Sequence, residues 1–187
     1  MSGSIDYSIV IPVYNSSDSL DELLHRINSL FNNIGKTFEV IFVDDNSVDV
    51  SWEVLKRLKK ENSFVKIIRL NKNFGQHNAI ICGFEYSEGK FVITMDDDLQ
   101  HPPEEIPKLI NKINEGYDVI IGSFKIKKHG IFKNIGSRLF HRLNMWMLKV
   151  PRDITFTSFV IYRREIIGFF SSIKTSFVYI PALIFTF

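Results

Sequence analysis

Residues 92–103 read VITMDDDLQHPP. A short β-branched apolar run is followed by Asp96, Asp97 and Asp98, and then by Pro102-Pro103. The apolar run, extended to Lys90–Met95, reads as a buried strand. The two prolines open a helix, where a missing N–H costs nothing. Its apolar residues Ile106, Leu109, Ile110 and Ile113 keep helical spacing. A strand that delivers three carboxylates into a loop, with a helix directly behind, is the unit from which the rest of the chain can be read.

The same unit recurs upstream. Tyr7–Val13 (YSIVIPV) reads as a strand, and Asp18 as the cap of a helix carrying Leu20, Leu23, Leu24, Ile27 and Leu30, with Gly35 beyond its end. Phe38–Val43 is a second strand, ending on Asp44-Asp45, and the next helix turns Trp52, Val54, Leu55 and Leu58 inward. Val65–Leu70 is a third strand, and the loop Asn71–Gly75 leads into a helix over Gln76–Tyr86. Downstream, Tyr117–Gly122 is a fifth strand and Phe156–Arg163 a further one. Between them, residues 131–150 read as a basic amphipathic helix, suited to a membrane surface, to packing on the sheet with its lysines solvated, or to a partner-binding surface. Strands alternating with helices predict an α/β fold, Rossmann-like, with a mostly parallel sheet and helices on both faces. Such sheets bind ligands at the carboxyl ends of their strands. Here those ends carry Pro12 to Asn15, Asp44-Asp45 and Asp96 to Asp98.

Composition narrows the classes. The 187 residues are 45% hydrophobic and 24% charged, which suits one domain, expected over residues 5–187. Residues 1–4, Met-Ser-Gly-Ser, read as an expression scar. The chain stops inside the apolar run Phe177–Phe187, so continuation into membrane segments is expected. The net charge is +2, but no acid occurs from Val119 to Arg152, while Lys125, Lys127, Lys128, Lys133, Arg138, Arg142, Lys149 and Arg152 do. A one-signed stretch of this kind points to phosphates on a substrate or a membrane. The single Cys82 leaves no internal disulfide or cysteine-rich zinc site. No GxGxxG follows the first strand, no GxxxxGK[ST] occurs, and the histidines form no HxxxH or HExxH pattern. A dinucleotide oxidoreductase, a P-loop NTPase and a zinc site are therefore disfavoured.

Asp96 and Asp98 stand two apart, so in an extended segment they share a side. Two hard oxygen ligands so placed suit Mg²⁺ or Mn²⁺, with coordination positions left for substrate phosphates. The plain alternative is a solvated acidic turn. Asp44 and Asp45 can accept hydrogen bonds from a ribose or a base N–H, or can simply cap the helix that follows.

The set IPVYN (11–15), VDDNS (43–47), LNKNFGQHNAI (70–80) and MDDDLQHPPEEIP (95–107) resembles family 2 glycosyltransferases. It looks most like the branch similar to dolichol-phosphate mannose synthases and bacterial polyprenyl-phosphate glycosyltransferases. The resemblance covers roughly residues 7–165 and implies a GT-A fold, an inverting reaction, a nucleotide-diphosphate sugar donor and a divalent metal. Carried over residue by residue, it implies that Pro12, Tyr14 and Asp44, with Asp45 beside them, line the nucleoside. Asp96 and Asp98 match a DxD motif, with Asp98 as main metal ligand and Gln100 assisting. Arg163 or Arg164 matches a basic position near the phosphates. Two positions depart from the pattern. Ser16 replaces a nucleotide-contacting glutamate, and Ser158 stands where a candidate general base is expected. A hydroxyl acceptor generally needs a base, whereas a lipid phosphate is already ionised. Asp153 is the fallback base. The expected reaction is transfer to a polyprenyl phosphate at the cytoplasmic face of the cell membrane. Transfer to a hydroxyl of a growing glycan and a non-catalytic sugar-nucleotide-binding scaffold are the alternatives. No nucleic-acid partner is expected, and a homo-oligomer is compatible with this reading.

Overall fold

The computed structural model describes residues 4–122, 157–171 and 180. The order of elements is β1 (Tyr7–Val13), α1 (Leu20–Ile34), β2 (Phe38–Asp44), α2 (Ser51–Glu61), β3 (Val65–Arg69), α3 (Gln76–Glu85), β4 (Phe91–Thr94), a 3₁₀ turn (Pro103–Glu105), α4 (Ile106–Ile113), β5 (Val119–Ile121), β6 (Val160–Arg163) and α5 (Arg164–Ser171). The strands form one sheet in the order β3-β2-β1-β4-β6-β5. β1 pairs in parallel with β2 and β4, and β2 with β3. β6 runs antiparallel to both of its neighbours. The mixed α/β architecture expected from the alternating pattern is present, with β6 the one reversed strand among the described residues.

Side-chain alternation along the strands separates two cores. Ile9, Ile11, Val13, Phe42 and Ile93 pack with Leu20, Leu23, Ile27 and Phe31 of α1, Leu55 of α2, and Ile106 and Ile113 of α4. Val10, Ile41, Val43, Val92 and Tyr162 face the other way, onto Ala79, Ile80 and Phe84 of α3 and Ile167 and Phe170 of α5. Helices therefore cover both faces. The strands of β1 and β2 are buried along almost their whole length, which is why they read as continuous apolar runs rather than alternating ones. Among the described residues, no helix is long and apolar enough to cross a membrane.

Three expectations change in detail. Ser19, not Asp18, is the residue before α1, and it makes no side-chain cap bond. Pro102-Pro103 lead into a 3₁₀ turn before α4 begins. The last strand is shorter than predicted and reversed. The reversal follows from where the chain returns. Gly122 N–H donates to Phe159 O at 2.8 Å and Thr157 Oγ1 donates to Gly122 O at 2.8 Å. The chain thus re-enters the sheet at the end where β5 left it, and the next strand has to run the opposite way. Phe159 lies so close that a Cβ on Gly122 would sit 2.4 Å from its Cδ1. The predicted basic helix over 131–150 and Asp153 lie outside the described residues.

Candidate active site

The loops after β1, β2 and β4 meet at one edge of the sheet with the start of α3. They enclose a cleft of about 360 Å³ lined by Pro12, Val13, Tyr14, Asp45, Asn73, Gly75, Gln76, Asp96, Asp97 and Asp98. Each of the three loops turns through a left-handed residue: Asn15 at φ 55°, Asn46 at φ 61° and Leu99 at φ 61°. Asparagine adopts that region readily, whereas a leucine there is strained, and such strain concentrates at functional sites.

The first two loops are tied together. Asn15 N–H donates to Ser47 Oγ at 3.0 Å, and Val48 N–H donates to Asn15 Oδ1 at 2.9 Å. Asp45 is almost fully buried, and its two carboxylate oxygens accept the N–H groups of Phe74 and Gly75, each at 2.8 Å. One aspartate thereby fixes the loop that starts α3. Gly75 has φ 88° just before the helix, a conformation that favours glycine. From the first turn of α3, Gln76 Nε2 donates to Asp96 Oδ1 at 2.5 Å.

The three acids differ. Asp96 is partly buried, with His101 Nδ1 3.7 Å from its Oδ2. The His101 ring stacks on Phe159, with centroids 5.6 Å apart. Asp97 takes the Tyr14 N–H at 3.4 Å. Burial pushes its carboxyl above the usual range, and the charge of Asp96 adds to this, against hydrogen bonds from Ser16 and Tyr14. Asp98 is exposed, and its Oδ1 accepts the Gln100 N–H at 3.0 Å, bracing the turn at Leu99.

Among the described residues, no group of three or more His, Cys, Asp or Glu is arranged to hold a metal. Mg²⁺ and Mn²⁺, however, are commonly bound by one or two carboxylates together with substrate phosphates. Asp96 and Asp98 on one cleft fit that mode of binding.

Pro12, Tyr14, Asp45, Asp96 and Asp98 are thus brought together. Asp44 is not. Its side chain is fully buried, paired with Arg69 Nε at 3.0 Å, and accepts the Ser47 N–H at 3.1 Å. Its charge is spent inside the protein, because it is the last residue of β2 and lies opposite Arg69 of β3. Gln100 is exposed and does not line the cleft. Arg163 and Arg164 are corrected outright. Because β6 is antiparallel, Arg163 lies opposite Phe91 at the beginning of β4, on the edge away from the cleft. There Arg163 Nε donates to Tyr117 O at 2.9 Å, and Arg164 reaches Gly89 O at 3.3 Å. Asn73, Gly75, Gln76 and Asp97 line the cleft without having been singled out as site residues. The signal for the first three lay in the glycine-ended loop directly before a helix.

Sheet order, strand-end cleft and acid loop define a GT-A glycosyltransferase domain. The chain belongs to glycosyl transferase family 2, whose sequence model matches residues 8–172. It is 39% identical over 181 residues to undecaprenyl-phosphate 4-deoxy-4-formamido-L-arabinose transferase of Klebsiella pneumoniae (strain 342), covering 96% of this chain and 55% of that protein. The chain therefore spans about half the length of the curated relatives it matches. Among solved structures, residues 1–349 of TarS of S. aureus align at TM-score 0.65 and 23% identity, over 97% of this chain and 54% of that fragment. The mannosyltransferase PcManGT of Pyrobaculum calidifontis, solved with GDP-Man and Mn²⁺, aligns at TM-score 0.66 and 15% identity, over 90% of this chain and 47% of that one.

Proposed function

We propose that this chain is the catalytic domain of an inverting, divalent-metal-dependent transferase that moves a sugar from a nucleotide-diphosphate donor to a polyprenyl phosphate. The observation that carries this is the cleft in which Asp96 and Asp98 face the loop held by Asp45 and the start of α3. Pro12 and Tyr14 border the space for the nucleoside, and the loop fixed by Asp45 forms its wall. The first turn of α3 presents backbone N–H groups and a positive dipole end to the same space, which favours the diphosphate. Asp96 and Asp98 are the groups that would hold Mg²⁺ or Mn²⁺. When bound, that ion supplies charge neutralisation to the leaving diphosphate.

In the reaction, an oxygen of the acceptor phosphate forms a bond to the anomeric carbon while the bond from that carbon to the diphosphate oxygen breaks. The acceptor is already an anion, so no side chain has to remove a proton. That agrees with Ser158, a residue without acid function, at the position where the family resemblance anticipates a base. The relative named for undecaprenyl phosphate supports the same acceptor class. The run of basic residues between Val119 and Arg152 suits a phosphate at an anionic membrane surface. Placement at the cytoplasmic face of the membrane follows from this reading.

The test is a thermal-shift panel of UDP, GDP, CDP and dTDP, each with and without Mn²⁺, on wild type and Asp98→Ala. One diphosphate should stabilise the chain in the presence of metal, by about 2.7 kcal/mol at a hundredfold excess over Kd, and Asp98→Ala should abolish the effect. A wild-type melt that no nucleotide moves would count against the transferase reading.

A further inference from the structure

Asp96 is gripped through one oxygen by a residue from another element. Gln76 Nε2 donates to Oδ1 at 2.5 Å, whereas Oδ2 lies on the other side of the carboxylate, 3.7 Å from His101 Nδ1. Gln76 is itself placed from below. Phe74 and Gly75, the two residues before it, donate their N–H groups to the buried carboxylate of Asp45. A continuous set of hydrogen bonds therefore runs from the end of β2, through the start of α3, to the acid loop after β4.

The chemical type of this contact carries information. Three consecutive carboxylates repel one another, and a lysine or arginine at position 76 would relieve the repulsion by neutralising Asp96. Such a cation would also compete with a metal for the same oxygens. A neutral amide orients the carboxylate and leaves its charge in place.

We infer that Gln76 is a positioning residue: it fixes the Asp96 carboxylate through Oδ1 and leaves the other oxygen to a divalent cation. This inference rests on the transferase reading above. Removing the hydrogen-bond partner of a metal-ligating group typically lowers metal affinity 10–100-fold. Gln76→Met keeps the length of the side chain and removes the donor. Titration with Mn²⁺ alone, followed by the electron paramagnetic resonance signal of the free ion, should show a Kd weakened by about 10–100-fold in Gln76→Met relative to wild type. The metal-free melting temperature should stay close to that of wild type, because the contact is exposed. A second measurement needs no metal. In the ¹⁵N-labelled apo chain, the side-chain amide resonance of Gln76 should shift on Asp96→Asn.

An unchanged Mn²⁺ Kd in Gln76→Met, or an amide resonance indifferent to Asp96→Asn, overturns the inference while leaving the nucleotide panel free to support the transferase. Failure of wild type to bind Mn²⁺ alone also overturns the inference, while the nucleotide panel decides the transferase reading separately.

Discussion

Asp45 joins two acceptor oxygens to two backbone N–H groups inside the protein, and hydrogen bonds to a charged group are worth about 1.5–3 kcal/mol each. Asp45→Ala should therefore lower stability by about 3–5 kcal/mol in urea denaturation, and should weaken nucleotide binding because the wall of the cleft loses its anchor. His77, one residue into α3 from Gln76, reports on pH. Burial pushes its imidazole below the ordinary value of 6.5, so as pH falls the unfolded chain takes up this proton before the folded one does. Stability is thus present above 6.5 and is lost as pH drops from there through the lowered folded value. His77→Gln should flatten the fall in melting temperature between about pH 7 and about pH 5. At this scale the sequence was legible only in part. Asp44 and Asp45 are adjacent acids at the end of one strand, and nothing in their order says that the first pairs with Arg69 while the second holds the loop before α3. Strand alternation sends the two side chains to opposite sides, and which side holds the ligand is a property of the assembled sheet.

Helix α3 is the element on which the site turns, and it lies against β1 and β2 with almost no clearance. A Cβ added at Gly83 would meet Val10 Cγ1 at 2.3 Å and Val43 Cγ2 at 3.3 Å. Gly83→Ala should force the helix outward, at a cost of about 1–3 kcal/mol measured by chemical denaturation. Since Gln76 begins the same helix, metal-dependent nucleotide binding should weaken with it. Most elements were legible because their apolar periodicity is strong: the predicted inward set of α4, Ile106, Leu109, Ile110 and Ile113, is buried throughout, and β1 has its predicted limits. The direction of β6 was not legible. Val160–Arg163 carries the same apolar pattern whether it runs with its neighbours or against them, and only the hydrogen bonds between Gly122, Thr157 and Phe159 set its sense.

Over the described part of the molecule, the two ends of the strands form unlike edges, and the reversal of β6 places Arg163 on the edge away from the cleft. The cleft edge holds the acid loops. The opposite edge holds Arg163, with its bonds to Tyr117 O and Ile113 O, and the buried Glu39, which accepts from Ser8 Oγ at 2.6 Å and pairs with Lys66 at 2.7 Å. Arg163→Ala should cost about 1 kcal/mol of stability, and should leave the metal-dependent nucleotide shift expected of wild type undiminished in the same thermal assay. A loss of that shift would assign Arg163 a part in binding. The pinned pair Gly122 and Thr157 has a further consequence. The chain departs from the cleft edge of the sheet at one of these residues and comes back at the other, with Thr157 Oγ1 donating to Gly122 O at 2.8 Å. The two residues act as a clasp that aligns β5 with β6 from the cleft end, so the antiparallel register of Val119 on Tyr162, Ile120 on Ile161 and Ile121 on Val160 is set at one point.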